Sequence, residues 1–167
     1  MAKASSRAQA IGDVDEANSA IGIAILHLRD EGHARMLRAV QNEMFDLGAD
    51  LATPGEDFAP GEMDLRVVQP QVDRLEREID AMNEALEPLR SFILPGGGGG
   101  SAFLHLARAI VRRAERSAFA AAAEQPVNPL ALKYLNRLSD HLFVFARLVA
   151  LGEGGDILWQ PGSTREG

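Results

Sequence analysis

Cysteine is absent from this chain. Disulfides, thiolate chemistry and cysteine-ligated zinc are excluded with it. Alternating apolar and polar runs, the mark of half-buried strands, are nearly missing as well. Positive charge is in deficit: the formal net charge is −7, which argues against a general nucleic-acid binder. A local basic site stays open, because the arginines cluster. No signal peptide and no apolar run long enough to span a bilayer occur, so the expectation is a soluble, cytoplasmic protein with no membrane partner. No series of oxygen ligands closed by a glutamate occurs to make a calcium loop. Nothing sits near His33 at metal-ligand spacing, and it reads as a solvated helix-start residue.

What is present is a chain of 167 residues, enough for one domain with a real core. Alanine, leucine, arginine and glutamate are abundant, which favours an all-α fold. A single domain over 1–167 is expected, with a helical core at about 13–151 and flexible termini.

The stretch that organises the chain is Phe92 to Arg116, FILPGGGGGSAFLHLARAIVRRAER. Phe92-Ile93-Leu94 reads as a short apolar strand or turn. Pro95 stops regular structure, and five glycines, Gly96 to Gly100, follow. Such a run suits either a mobile loop or a close approach of backbone to a ligand. Ser101 can cap the next helix. Arg108, Arg112 and Arg116 are spaced by four and share a stripe. Glu115 can sit beside them, while Leu104, Ala107, Val111 and Ala114 make the apolar side. Clustered guanidiniums need anions: carboxylates from other helices, a partner subunit or a polyphosphate.

Helical spacing predicts five helices near 13–31, 33–52, 70–87, 101–124 and 130–151. Short links between them favour an antiparallel bundle. Asp13 is expected to cap the first helix, with Glu16 completing a box-like pair. Gly32 is expected to separate it from the second, whose inner face includes Leu37, Val40, Met44, Phe45 and Leu51. Thr53 to Asp64 is a loop rich in proline, glycine and acids. Val72, Leu75, Ile79, Met82 and Leu86 stripe the third helix, which Pro88 ends. The tail Asp156-Ile157-Leu158-Trp159 reads as an apolar hook, and the last residues look disordered.

Three blocks and the tail carry a resemblance. GDVDEANSAIG at Gly12 to Gly22, FILPGG with LARAIVRRAER, YLNRLSDHLFVFAR at Tyr134 to Arg147, and ILWQPG at Ile157 to Gly162 together resemble the PduO-type ATP:cob(I)alamin adenosyltransferases. The resemblance covers nearly the whole chain. It implies a five-helix bundle of ferritin-like arrangement and a homotrimer with an active site at each subunit interface. The implied reaction moves the 5'-deoxyadenosyl group of ATP to the cobalt of reduced cobalamin and releases triphosphate, with magnesium accompanying ATP. A corrinoid reductase is the implied partner.

Residue by residue, the resemblance places Arg112 on the ATP phosphates and pairs Arg108 with Asp15 across the subunit interface. It puts Asn136 near the nucleotide, and Glu115 near the nucleotide and its metal. Phe92 closes the lower side of the corrin site and displaces the lower axial ligand. Arg113, Arg116 and Asp140 fall on charged motif positions. Cob(I)alamin is itself the nucleophile, so the protein has to orient it and hold the departing triphosphate. Fixed guanidiniums suit that task. The family's loop rich in threonine, glycine, aspartate and lysine, which wraps the triphosphate ahead of GDVDE, has no counterpart in Met1 to Ala10. Either that loop lies outside these residues or ATP is held differently. Two other readings stand beside the enzyme. One is a non-catalytic trimer of the same fold that binds corrinoid or nucleotide. The other is a bundle whose arginines only make interhelical salt bridges.

Overall fold

A computed structural model describes residues 1–166. It contains five helices: α1 (Ser6–Leu26), α2 (Glu31–Ala52), α3 (Gln69–Asn83), α4 (Gly99–Glu124) and α5 (Pro129–Leu151). α1 and α2 are joined by residues 27–30, and α4 and α5 by residues 125–128. Links this short force antiparallel neighbours. The pairings agree. Ser6 reaches Glu124, Asp13 reaches Ser117, and His27 stacks on Phe103 with ring centroids 4.4 Å apart. α1 packs on both α4 and α2, and α5 on both α4 and α3. The ring closes between α2 and α3 through an Arg74–Glu43 ion pair of 2.7 Å and a Gln71–Asp46 hydrogen bond of 3.1 Å.

The first helix starts seven residues earlier than its acids suggested. Ser5 is the cap, accepting from the Ala8 amide at 3.2 Å. Asp13 is therefore no cap. It sits in the helix interior, buried, and accepts from Ser117 and Gln9. Arg7 is buried and ties this end to the Pro126 carbonyl at 3.1 Å. α1 also ends early, at Leu26, because Asp30 takes the cap of α2 by accepting from the His33 amide at 2.9 Å. Gly32, the expected separator, lies inside α2. A β-carbon there would stand 2.9 Å from the capping carboxylate. His33 is only partly solvated, with its ring edge-on to Phe145 at 5.1 Å. Phe45 points outward, 71% exposed. α3 stops at Asn83 and leaves Leu86 beyond it. Pro88 has no N–H to offer the Glu84 carbonyl, so a helix could not run on through it.

The glycine run resolves into a seat for protein. α4 begins at Gly99, not at Ser101, and no side chain of its own caps it. Glu153, just past the end of α5, accepts from the amides of Gly100 at 3.2 Å and Ser101 at 2.9 Å. A carboxylate there answers both the free amides and the positive end of the helix dipole. A β-carbon on Gly98 would fall 1.9 Å from a Glu153 oxygen, and one on Gly100 only 3.0 Å from Val149. The close approach that these glycines allow is thus to Glu153.

The loop after α2 is tethered from inside. Asp50 is buried and receives Arg66 at 2.8 Å, the Val67 amide at 2.8 Å and the Asn128 amide group at 2.7 Å. Beyond the bundle, Ile93 and Leu158 form an antiparallel bridge. Residues 161–164 form turns, with Ser163 and Arg165 amides donating to Gln160 and Gly162 carbonyls; Gly167 lies outside the described residues. Asp50→Ala strips a buried guanidinium of its counter-ion, because the Arg66 and Asp50 side chains are 3% and 1% exposed. The expected loss is about 3–5 kcal/mol, read by urea denaturation; a loss within ordinary surface-mutation scatter would show that the pair carries no such weight.

Candidate active site

The arginines of α4 divide between two faces. Arg113 turns to α1, where it pairs with Glu16 and lies 3.6 Å from Asp13. Glu16 makes Arg113 hold its proton more tightly than an ordinary arginine does, with Asp13 adding to the effect. Arg108, Arg112 and Arg116 lie on the stripe away from α1. Arg112 is half exposed and sits 3.5 Å from Glu115, one turn on. Glu115 is buried and also accepts from the Asn136 amide group of α5 at 2.8 Å. So Arg112, Glu115 and Asn136 meet at one place, while Arg113 is drawn elsewhere. Arg116 is exposed and has no carboxylate within ion-pair distance among the described residues. Asp140 pairs with Arg137 on α5 itself.

Arg108 is also left without an answer, although it is partly buried. Among the described residues it has no ion pair, and its Nε is buried with no hydrogen-bond partner. Burial, and then the neighbouring Arg112 charge, pull its proton affinity below that of an ordinary arginine. Asp15 does not supply the missing anion within the chain. It is exposed on α1 and lines a separate groove between α1 and α2, with Asn18, Met44 and Phe45. The pairings of Asp13 with Ser117 and His27 with Phe103 put Arg108 about two turns away from Asp15 along the bundle.

Arg108 forms one wall of a cleft of about 530 Å³, together with His105, Phe143, Ile93, Pro95 and Phe92. Apolar rings and one half-buried cation are the usual make-up of a pocket for a large, partly charged ligand. Phe92 stands over the mouth, 76% exposed, edge-on to Trp159 at 5.9 Å. His105 and Phe143 escaped the sequence reading, although His105 lies three residues before Arg108 on the same stripe. Phe143 comes from another helix, so its spacing carried no signal. His105 is 3% exposed. Burial, and then Arg108, lower its proton affinity.

The fold and site define a helical bundle that presents uncompensated arginines beside an apolar cleft. The sequence profile of the cobalamin adenosyltransferase family matches residues 1–149. The corrinoid adenosyltransferase of Mycobacterium tuberculosis is 49% identical over 168 residues, covering 99% of this chain and 86% of the relative. The cobalamin adenosyltransferase of Cupriavidus metallidurans is 42% identical, covering 95% and 83%. A phenylalanine variant of the PduO-type ATP:corrinoid adenosyltransferase from Lactobacillus reuteri, complexed with cobalamin and ATP, superposes with a TM-score of 0.86 at 35% identity, covering 96% of this chain and 89% of that one. The chain belongs to the cobalamin adenosyltransferase family.

The His105 environment has a pH consequence. A histidine whose proton affinity falls below the ordinary value of 6.5 on folding leaves stability intact above that pH and erodes it below, because the unfolded chain takes up the proton first. Wild type should therefore lose melting temperature between about pH 6.5 and 5 more steeply than His105→Gln. Parallel melting curves across that range would show that the imidazole titrates alike in both states.

Proposed function

We propose that this chain transfers the 5'-deoxyadenosyl group of ATP to the cobalt of cob(I)alamin or another reduced corrinoid. The cobalt–carbon bond forms as the bond from C5' to the phosphate oxygen breaks, and the electron pair leaves with triphosphate. The observation that carries this reading is the lack of charge compensation on α4. Arg108 has no counter-ion among the described residues, and Arg112 has only a long contact with Glu115, beside a cleft walled by aromatic rings. Arg112 takes the phosphates, in a geometry that guanidinium matches and ammonium does not. Arg116, at the end of the stripe, and Asp140, at its flank, complete the charged rim, whereas Arg113 is taken up by Glu16 and Asp13 of α1. Asn136 orients Glu115 beside the nucleotide. Phe92 covers the corrin and keeps water and a lower ligand away from the cobalt.

Magnesium in this reading arrives on the ATP phosphates, which suits an ion that keeps waters and takes one or two carboxylates. Among the described residues no three metal-ligating side chains gather, and Glu115 is the single acid placed to meet it. The active form is a homotrimer. Exposed Phe45 and the α1–α2 groove that holds Asp15 give an apolar face for a second copy. Asp15 from one subunit answers Arg108 from the next. The protein works in the cytoplasm, supplied by a corrinoid reductase; no described helix is long and apolar enough to cross a membrane.

Three measurements test this. ATP with chemically reduced cob(I)alamin should yield the adenosylcobalamin spectrum, and tight corrinoid binding without turnover would leave a non-catalytic binding protein instead. Arg112→Lys should lower turnover roughly a hundredfold at unchanged melting temperature and trimer content; wild-type rates in a stable variant would remove Arg112 from the leaving group. Light scattering should give a trimer at micromolar concentration, and Asp15→Ala should weaken it; a stable monomer in the wild type would sink the interfacial pairing.

A further inference from the structure

Phe92 stands on a stretch of backbone that the bundle hardly holds. Between the end of α3 and the start of α4, its hydrogen bonds run mainly to the tail after α5. The Leu94 amide donates to the Ile157 carbonyl at 2.7 Å, and the Trp159 amide donates to the Phe92 carbonyl at 2.8 Å. The Ser91 hydroxyl donates to the Trp159 carbonyl at 3.1 Å. The Trp159 ring meets the Phe92 ring at a 62° angle. The tail in turn is anchored twice. Glu153 sits in the α4 N-terminus, and Asp156 receives Arg147 at 3.0 Å. The same Arg147 donates to the Glu87 carbonyl at 2.9 Å, so one guanidinium clamps both the tail and the start of the Phe92 segment.

We propose that the segment Glu153 to Trp159 is a strap that positions Phe92 over the cleft, and that Trp159 is the positioning residue for the corrinoid half of the reaction. Trp159 itself touches no reacting atom; it acts through Phe92. The edge-on ring pair limits the angles that Phe92 can take, and the bridge sets its height. Without the tryptophan ring, the bridge opens and Phe92 swings into solvent, to which it is already largely exposed. The lower side of a corrinoid then regains water or its own ligand. This rests on the adenosyltransferase reading for its consequence, but the strap itself does not.

The test compares wild type, Trp159→Ala and Trp159→Phe as full chains. Amide hydrogen exchange reads the strap with no ligand present. In Trp159→Ala the Leu94 amide should lose protection about three- to tenfold, the range one aromatic pair supports, while amides in the middle of α4 keep theirs. Trp159→Phe should restore most of it. Electron paramagnetic resonance of bound cob(II)alamin with ATP should show a similar fall in the four-coordinate fraction in Trp159→Ala. Turnover from cob(II)alamin plus reductant should drop more than turnover from preformed cob(I)alamin. Unchanged Leu94 protection overturns the strap. Altered protection with an unchanged four-coordinate fraction, or equal losses in the two turnover assays, overturns its role at the site. If wild type makes no adenosylcobalamin at all, the adenosyltransferase reading fails, and with it the role at the site, while the exchange experiment still decides the strap.

Discussion

The close antiparallel contact of α1 with α4 is the constraint on which the rest of the molecule depends. Ala10, Ala17, Ala20 and Ala24 on one helix, and Ala107, Ala114, Ala118 and Ala121 on the other, are all buried. Alanine brings two backbones together at little side-chain entropy cost, and it gives the shared surface no long side chain to hold the helices apart. With so few long side chains available, register along this surface is set by polar contacts at its edge. Asp13 with Ser117 and Arg113, and Ser6 with Glu124, hold it at one end. His27 on Phe103 holds it at the other.

That register sorts the arginines. One residue of rotation separates Arg112 from Arg113, which is about 100° on a helix. It is enough to send Arg113 into the acids of α1 and leave Arg112 facing outward beside Glu115. The acidic start of GDVDEANS therefore has two tasks. Asp13 and Glu16 are spent on internal charge balance, and Asp15, between them and turned outward, is left over. The unanswered Arg108 and the unanswered Asp15 are complementary in sign but separated along the bundle, so a single copy of the chain does not bring them together.

The cleft depends on elements outside the bundle. His105, Arg108 and Phe143 are carried on α4 and α5, and their positions follow from helix packing. The opposite wall, Phe92, Ile93 and Pro95, has no helix beneath it. It is built from the link before α4 and held by the chain after α5, and both converge on the same helix end. Glu153 in the amides of Gly100 and Ser101 makes that convergence possible. Gly98 and Gly100 leave room for that carboxylate where a β-carbon would crowd it.

Five helices, and most of the faces they bury, were legible in the sequence, because helical periodicity is a local property. Leu37, Val40, Leu75, Leu104 and Val111 are buried as their spacing required. The common stripe of Arg108, Arg112 and Arg116 is likewise a matter of 3.6 residues per turn. Helix ends were less legible, since caps depend on which polar side chain reaches a free amide. Asp13 looked like a cap and is a buried interhelix acceptor; Ser101 looked like a cap, and the carboxylate that does the work lies 52 residues away. Phe45 looked like core because its neighbours are. Only tertiary structure decided that Asn136 meets Glu115, that Arg113 is consumed by Glu16, that His105 and Phe143 share a wall with Arg108, and that Trp159 lies on Phe92. Each of those pairs joins residues distant in the chain, and their distance is set by the register of one packed surface on another, which no single segment encodes.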